Sequence, residues 1–476
     1  MGYQSTWESL KQFQTPKWLR EGKFGIYTHW GVYSVPACRP NGTWYPRNMY
    51  IEGTPQNEYH KKTYGDPSVF GYKDFIPMFT GEKFDAEEWA DLFQKAGAKF
   101  AGPVGEHHDG FAMWDTSYSR WNSAKMGPKV DVVAALEKAI RARDMKFMVA
   151  MHHIENHYFF PHSRTDCDIA DETYADLYGE LHDLDRFIPE NLLGEQARPS
   201  KKTLDIWLGK TKEIIDRFSP DALWFDFGLQ YVQEHYKRDM ISYFYNEAVR
   251  KGQEPLLMYK NNDIVVGAGL IDLELGRFDR LMHNEWITDT TVDDGEGWCY
   301  LFDARYKSPR TLVHYLIDNV SKNGYLLLNV GPKPNGEIPE EAKHILLEMG
   351  RWLELNGEAI YGTTPWRYHG EGPTQMASAG NFTESENLVY TPADIRYTAK
   401  EDNIYAICLA WPENGAYVLE RLKTELYEEE IARISMLGSE KDLQWHMGER
   451  GLVVKIDVER PCDYAYVLKV ERKRPF

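Results

Sequence analysis

The stretch ALWFDFG, Ala222 to Gly228, is apolar for four residues and then delivers a carboxylate, Asp226, into aromatic surroundings. Its neighbours along the chain repeat the pattern. FGIYTHW (Phe24 to Trp30), KFAGPVGEHHDG (Lys99 to Gly110), KFMVAMHH (Lys146 to His153), LLMYKNN (Leu256 to Asn262) and LIDLELG (Leu270 to Gly276) also begin apolar and end polar. Runs of this length and composition read as buried strands. Helical patterns lie between them: Asp85 is placed to cap a helix through Trp89, Leu92 and Phe93, and another spans Val130 to Arg143. Strand and helix in alternation indicate a parallel sheet covered by helices. Strands that turn polar at their C-terminal ends indicate a TIM-like (β/α) barrel, whose functional groups gather there. A doubly wound open sheet is the competing arrangement, but THWGVYSVP is not the glycine-rich phosphate loop that usually follows its first strand.

A helix beginning after Pro339 runs through Leu346, Leu347 and Trp352 and stops at Asn356-Gly357. From about Ile360 the text changes to short alternating segments: NIYAICLAW (Asn403 to Trp411), GAYVLE (Gly415 to Glu420), LVVKIDV (Leu452 to Val458) and YAYVLKV (Tyr464 to Val470). These predict a C-terminal antiparallel β-sandwich over residues 361–476, following a barrel domain over residues 1–360.

Of 476 residues, 73 are Asp or Glu against 55 Lys or Arg, a formal net charge of -18. That balance repels nucleic acid and anionic lipid, so a small or neutral ligand is expected. No apolar run approaches the ~18 residues a membrane helix needs. Met1-Gly2-Tyr3-Gln4-Ser5 leads into polar sequence without a signal-peptide pattern, so a cytoplasmic location is expected. Cys38, Cys167, Cys299, Cys408 and Cys462 form no C-x-x-C pair, which fits a reducing compartment and argues against a zinc knuckle. With 15 Trp and 30 Tyr, the chain is rich in flat apolar faces that carry a polar handle, which suit sugar rings.

The strand ends supply the chemistry. They offer His29 and Trp30, then Glu106, His107, His108 and Asp109, then His152 and His153. Neighbours on a strand face opposite ways, so adjacent histidines are not expected to share an ion, and no H-E-x-x-H occurs. Hydrogen bonding to a hydroxylated ligand is the expected role of His29, His107 and His108, with no metal and no organic cofactor. Trp224 shares a face with Asp226 by period two. A buried carboxylate without a partner is costly, so Asp226 has either a partner or a task. Asp272 and Glu274 share one strand face, while Glu285 and Asp289 fall around Trp286 in a stretch that reads as a loop. A retaining glycosidase needs two carboxyl groups, one ionised and one protonated, roughly 5 to 5.5 Å apart.

The segments HWGVYSVPA, NGTWYPRNMY, EEWADLFQKAGAKFAG with EHHDGFAMWD, LWFDFG, DLELG, WITDTTVDDGEGWCY and LIDNVSKNGYLLLNVGPKPNGEIP resemble, in order, the α-L-fucosidases of glycoside hydrolase family 29. The likeness runs from about residue 7 to 366, and DIRYTAKEDNIYAICLAWP is similar to that family's C-terminal text. The resemblance implies a barrel followed by a sandwich, and retaining hydrolysis of terminal α-L-fucose from a fucosylated oligosaccharide or glycoconjugate. It implies Asp226 as nucleophile, His29, His107 and His108 as partners of the fucose hydroxyls, and Trp44, Tyr45, Trp224 and Trp286 as aromatic residues about the sugar. Many members carry Glu directly after the Trp that matches Trp286, where this chain has Ile287. Glu274 is therefore the first choice for the acid/base and Glu285 the second. Glu106 also stands where many members have Lys, and HHIENHYFF (His152 to Phe160) replaces a Tyr-rich segment, which leaves linkage preference open. A retaining galactosidase and a non-catalytic fucose-binding protein on the same scaffold are the alternatives. Oligomeric state, including a homo-oligomer, stays open.

Overall fold

The computed structural model describes residues 2–182, 198–384 and 388–473. Eight parallel strands close into a barrel in chain order: β1 (Phe24–Thr28), β2 (Phe100–Glu106), β3 (Lys146–Met151), β4 (Ala222–Phe225), β5 (Leu256–Lys260), β6 (Leu270–Glu274), β7 (Trp286–Thr291) and β8 (Gly324–Val330). β8 pairs with β1 from Phe24↔Leu326 to Thr28↔Val330, which closes the ring. Every residue of β1, β2, β4, β5, β7 and β8 is buried, because helices cover the outside and side chains fill the inside. Gly102 shows how tightly neighbours meet, since a Cβ there would lie 1.7 Å from the Met148 carbonyl oxygen on β3.

The helices follow the expected signals. Asp85 caps Ala86–Lys95 by accepting from the N–H groups of Glu87 and Glu88, and Asp131 caps Val132–Arg141 through Ala134 N–H. The strands stop earlier than their apolar runs: β1 ends before His29, β2 before His107, β3 before His152 and β4 before Asp226. The polar residues thus leave the ladder at the barrel mouth. β7 corrects the expectation of a loop around Trp286. Its interior polar groups are satisfied within the sheet, the Thr288 hydroxyl bonding the carbonyls of Leu273 and Gly276.

After the helix Glu340–Asn356, antiparallel strands form two sheets. One has the order β13-β16-β11-β10-β9, built from β9 (Thr364–Glu371), β10 (Ile395–Lys400), β11 (Asn403–Cys408), β13 (Ile431–Met436) and β16 (Tyr466–Arg472). The other has the order β12-β15-β14, built from β12 (Ala416–Leu419), β14 (Trp445–Met447) and β15 (Leu452–Lys455). A separate apolar core joins them, including Ile395, Tyr397, Leu419, Leu452 and Val454. Among the described residues no helix is long and apolar enough to cross a membrane, and the five cysteines are free thiols.

Candidate active site

A cavity of about 190 Å³ opens at the C-terminal ends of the strands, lined by Tyr27, His29, Thr43, Trp44, His107, His108, His152, Glu155, Trp224, Asp226, Phe227, Glu274, Asp289, Trp298 and Phe382. This is below the roughly 300 Å³ at which drug-sized pockets begin, so it suits a single small ring. A larger cleft of about 1510 Å³ lies by the C-terminal sheets. Its buried charges are already engaged: Lys322 and Arg396 both bind Asp318, and Glu371 accepts from the N–H groups of Glu420 and Arg421. The titratable strand-end groups converge on the smaller cavity, which makes it the candidate active site.

Asp226 follows β4, and its Oδ2 accepts from His152 Nδ1 at 3.0 Å, with His108 Nε2 at 3.5 Å. His108 Nδ1 sits 3.2 Å from the His152 carbonyl, a bond that requires the proton on Nδ1 and turns Nε2 toward Glu155 and Asp226. His29 is fixed by Asn329, whose Oδ1 lies 2.8 Å from Nδ1 and also accepts the His29 backbone N–H. The Asn329 amide nitrogen donates to Thr291 Oγ1 and the Trp298 carbonyl, which sets that orientation and leaves His29 Nε2 as an acceptor. His107 Nδ1 and His152 Nε2 are buried without a hydrogen-bond partner among the described residues. Both residues line the cavity. The Trp44 ring packs edge-on against His108 at 5.8 Å, and the Trp298 ring lies 5.5 Å from His29.

The family model described as alpha-L-fucosidase matches residues 1–358, and that of the alpha-L-fucosidase C-terminal domain matches residues 389–471. The chain belongs to the α-L-fucosidase family. The plasma alpha-L-fucosidase of Homo sapiens is 32% identical, covering 98% of this chain and 92% of that protein. The tissue alpha-L-fucosidase of Rattus norvegicus is 31% identical over 93% of this chain and 86% of its own. The solved structure of Thermotoga maritima alpha-fucosidase in complex with fucose superposes with a TM-score of 0.79 at 31% identity, covering 98% of this chain and all of that one. These relatives are glycoside hydrolases, and the barrel with its C-terminal antiparallel sheets is their fold.

The electrostatics of this fucosidase site separate the two carboxyl groups. Burial disfavours a charge on Asp226, but the His152 pairing and hydrogen bond, His108 and Lys260 outweigh it and hold the group well below the usual carboxylate range. Glu274 ends β6 and is pushed up to about 7, first by burial and then by the charges of Asp226 and Asp272, against the pull of Lys260. Lys260, wholly buried at the end of β5, lies 2.5 Å from Asp289, 3.1 Å from Asp272 and 3.6 Å from Glu274. Those three carboxyl groups and Asp226 face one ammonium group, so the cluster retains protons. Asp289, buried and beside Asp272, is raised well above the ordinary value, and its Oδ2 accepts from the Tyr27 hydroxyl. Burial lowers His29 and His107 well below the ordinary imidazole value, so they meet a ligand as neutral rings.

Of the residues singled out from the sequence, His29, Trp44, His107, His108, Trp224, Asp226 and Glu274 come together in the cavity. Tyr45, Glu285 and Trp286 do not. Tyr45 is buried behind Trp44 with its hydroxyl 2.8 Å from His60 Nδ1, because the helical turn there sends adjacent side chains apart. Glu285 precedes β7, at the opposite end of the barrel, where it accepts from Arg20 and Tyr325. Trp286 opens β7 and donates to the Lys322 carbonyl, so it too faces away from the mouth.

For His107 and His108 the premise of opposite strand faces does not hold, although no candidate cation group among the described residues takes both of them. Both lie past the end of β2 and their rings are 4.2 Å apart. His29, His107 and His152 could offer a cation three nitrogens within 4.8 Å of one another, as could His108, His152 and Asp226 with one carboxylate oxygen. Sequence reasoning missed Glu155, Asn329, Trp298 and Lys260. Asn329 lies in NGYLLLNVGP and Lys260 in LLMYKNN, where an apolar run followed by a polar residue marks a strand end but not which polar residue acts.

Proposed function

We propose that the chain is an exo-acting retaining α-L-fucosidase that releases terminal α-L-fucosyl units from glycans through a covalent fucosyl-enzyme. The observation that carries this reading is one small cavity holding an ionised carboxylate, Asp226, and a carboxyl group pushed up to about 7, Glu274. The ionised group attacks the anomeric carbon while Glu274 gives its proton to the departing glycosidic oxygen. Glu274, now a carboxylate, takes a proton from water, and the hydroxide breaks the ester to Asp226 and restores both groups. His29 Nε2 accepts from a sugar hydroxyl, and His107, His108 and His152 complete the polar wall. Trp224, whose indole N–H donates to Asp272, gives the ring an apolar face.

Replacing the nucleophile tests the reading. Asp226→Ala is expected to lose on the order of 10³-fold or more in turnover of p-nitrophenyl α-L-fucoside, with partial recovery in azide and formation of β-fucosyl azide. Near-normal activity in that variant, or preference for the β-D-galactoside in the unmutated enzyme, would sink it. Turnover should be indifferent to EDTA. Loss in EDTA with recovery on adding zinc would assign the imidazole cluster to a cation.

A further inference from the structure

The segment after β9 returns from the C-terminal sheets to the barrel mouth and lies along residues 274–277. Phe382 N–H donates to the Glu274 carbonyl at 2.7 Å, Glu384 N–H to the Leu275 carbonyl at 2.9 Å, and Gly380 N–H to the Arg277 carbonyl at 2.9 Å. The Asn381 side-chain oxygen accepts from Glu274 N–H at 3.0 Å. Glycine at 276 permits this approach, since a Cβ there would stand 2.0 Å from the Gly380 carbonyl oxygen. Glu384 anchors the strap by accepting from the Thr290 hydroxyl and pairing with Lys307.

Held this way, Phe382 lines the catalytic cavity with 60% of its surface exposed. Among the described residues it belongs to neither apolar core. Its backbone has φ +57, a left-handed conformation that is strained for a bulky side chain. A strained backbone presenting an unpacked aromatic ring to solvent at a site mouth marks a ligand contact. The place of that contact follows from chemistry. Phe382 N–H is hydrogen-bonded to the backbone carbonyl of Glu274 and both residues line one cavity, which puts the ring on the side of that cavity where the departing oxygen would take its proton.

We propose that Phe382 is the stacking platform of the leaving-group subsite, taking the pyranose or aryl ring attached to the departing oxygen. The proposal rests on Glu274 as the acid/base. It makes the C-terminal portion of the chain a determinant of which fucosides are cleaved, because that portion supplies the strap. Stacking of this kind is offset and face-on, tolerant of ring identity and dependent on a flat apolar surface.

The test compares a substrate whose leaving group has a ring with one whose leaving group has none. For Phe382→Ala, kcat/KM on p-nitrophenyl α-L-fucoside should fall about tenfold, as loss of a stacked ring implies. On α-L-fucosyl fluoride it should stay within about twofold, with the basic limb of the pH profile unmoved. Transfer from the fluoride to methyl β-D-galactopyranoside, measured against hydrolysis, should fall as well, and Phe382→Tyr should restore both. An unchanged aryl fucoside rate would overturn the proposal. So would equal losses on both substrates with a shifted limb, which would mean the ring only steadies Glu274. Turnover of neither substrate by the unmutated enzyme would instead overturn the fucosidase reading itself, and the subsite with it.

Discussion

Glu274 and Glu285 carry the same carboxyl group and differ in which end of the barrel receives them. Glu274 closes β6 at the mouth, where burial and neighbouring carboxylates push it up to about 7. Glu285 is half-buried below β7, and hydrogen bonds from Arg20 and Tyr325 hold it below the ordinary carboxylate value against that burial. A general acid works in its protonated form, so activity should fall as pH rises through about 7 and Glu274 ionises. Glu274→Ala should therefore flatten the basic limb and slow natural disaccharides far more than activated aryl fucosides, because a good leaving group departs without a proton. Glu285→Ala should keep the limb and lower thermal stability instead, by about 1 kcal/mol, since its carboxylate serves Arg20 near the surface. A flattened limb in Glu285→Ala would reverse the assignment. The sequence ranked the two by resemblance, and position along a strand is the physical quantity that separates them, since Glu274 lines the cavity and Glu285 does not.

At the scale of elements, β4, β5, β6 and β7 place the four carboxyl groups of Asp226, Asp272, Glu274 and Asp289 around the buried ammonium group of Lys260. Lys260 lowers the proton affinity of both Asp226 and Glu274. Lys260→Met should move the basic limb to higher pH, because Glu274 then holds its proton more tightly, and should destabilise the fold by roughly 3 kcal/mol. A limb at the same pH would show that Lys260 does not set the acid. Where this arrangement lies was legible, although its ammonium group was not. The apolar runs ending in THW, EHHDG, MHH, WFDFG and DLELG located the mouth, since polar residues at the end of a buried strand have only that place to go. WITDTT was not legible, because three threonines and an aspartate look like a loop until the neighbouring strand supplies their partners. The strap was beyond reach as well. Its contact with β6 spans about a hundred residues, and backbone pairing of that kind leaves no periodicity to read.

At the scale of the whole molecule, the barrel and the C-terminal sheets meet across a buried charge cluster. Asp318, on the helix Pro309–Ser321, accepts from Lys322 at 2.6 Å, from Arg396 on β10 at 2.7 Å and from Arg277 after β6 at 3.5 Å. All four side chains are nearly fully buried. One carboxylate thus pairs with three cations drawn from both halves of the chain, with the Arg396 guanidinium also lying over the Tyr390 ring. Burial opposes the charge on Asp318, but the three cations outweigh it and hold the group far below its ordinary 3.8. Its folded value being depressed, the stability it contributes is present above 3.8 and is lost as pH falls below that value. Asp318→Asn keeps the shape and removes the charge, leaving three buried cations without a counterion, a change that costs about 3 to 5 kcal/mol. The expected result in calorimetry is a lower melting temperature at neutral pH, and a smaller further drop between pH 6 and pH 3 than the unmutated protein shows, because unfolding of the variant frees no carboxylate at this position to take up a proton. At temperatures below its melting point the variant should retain its pH profile, since Asp318 lies outside the catalytic cavity. An unchanged melting temperature would mean that the cluster does not join the two halves.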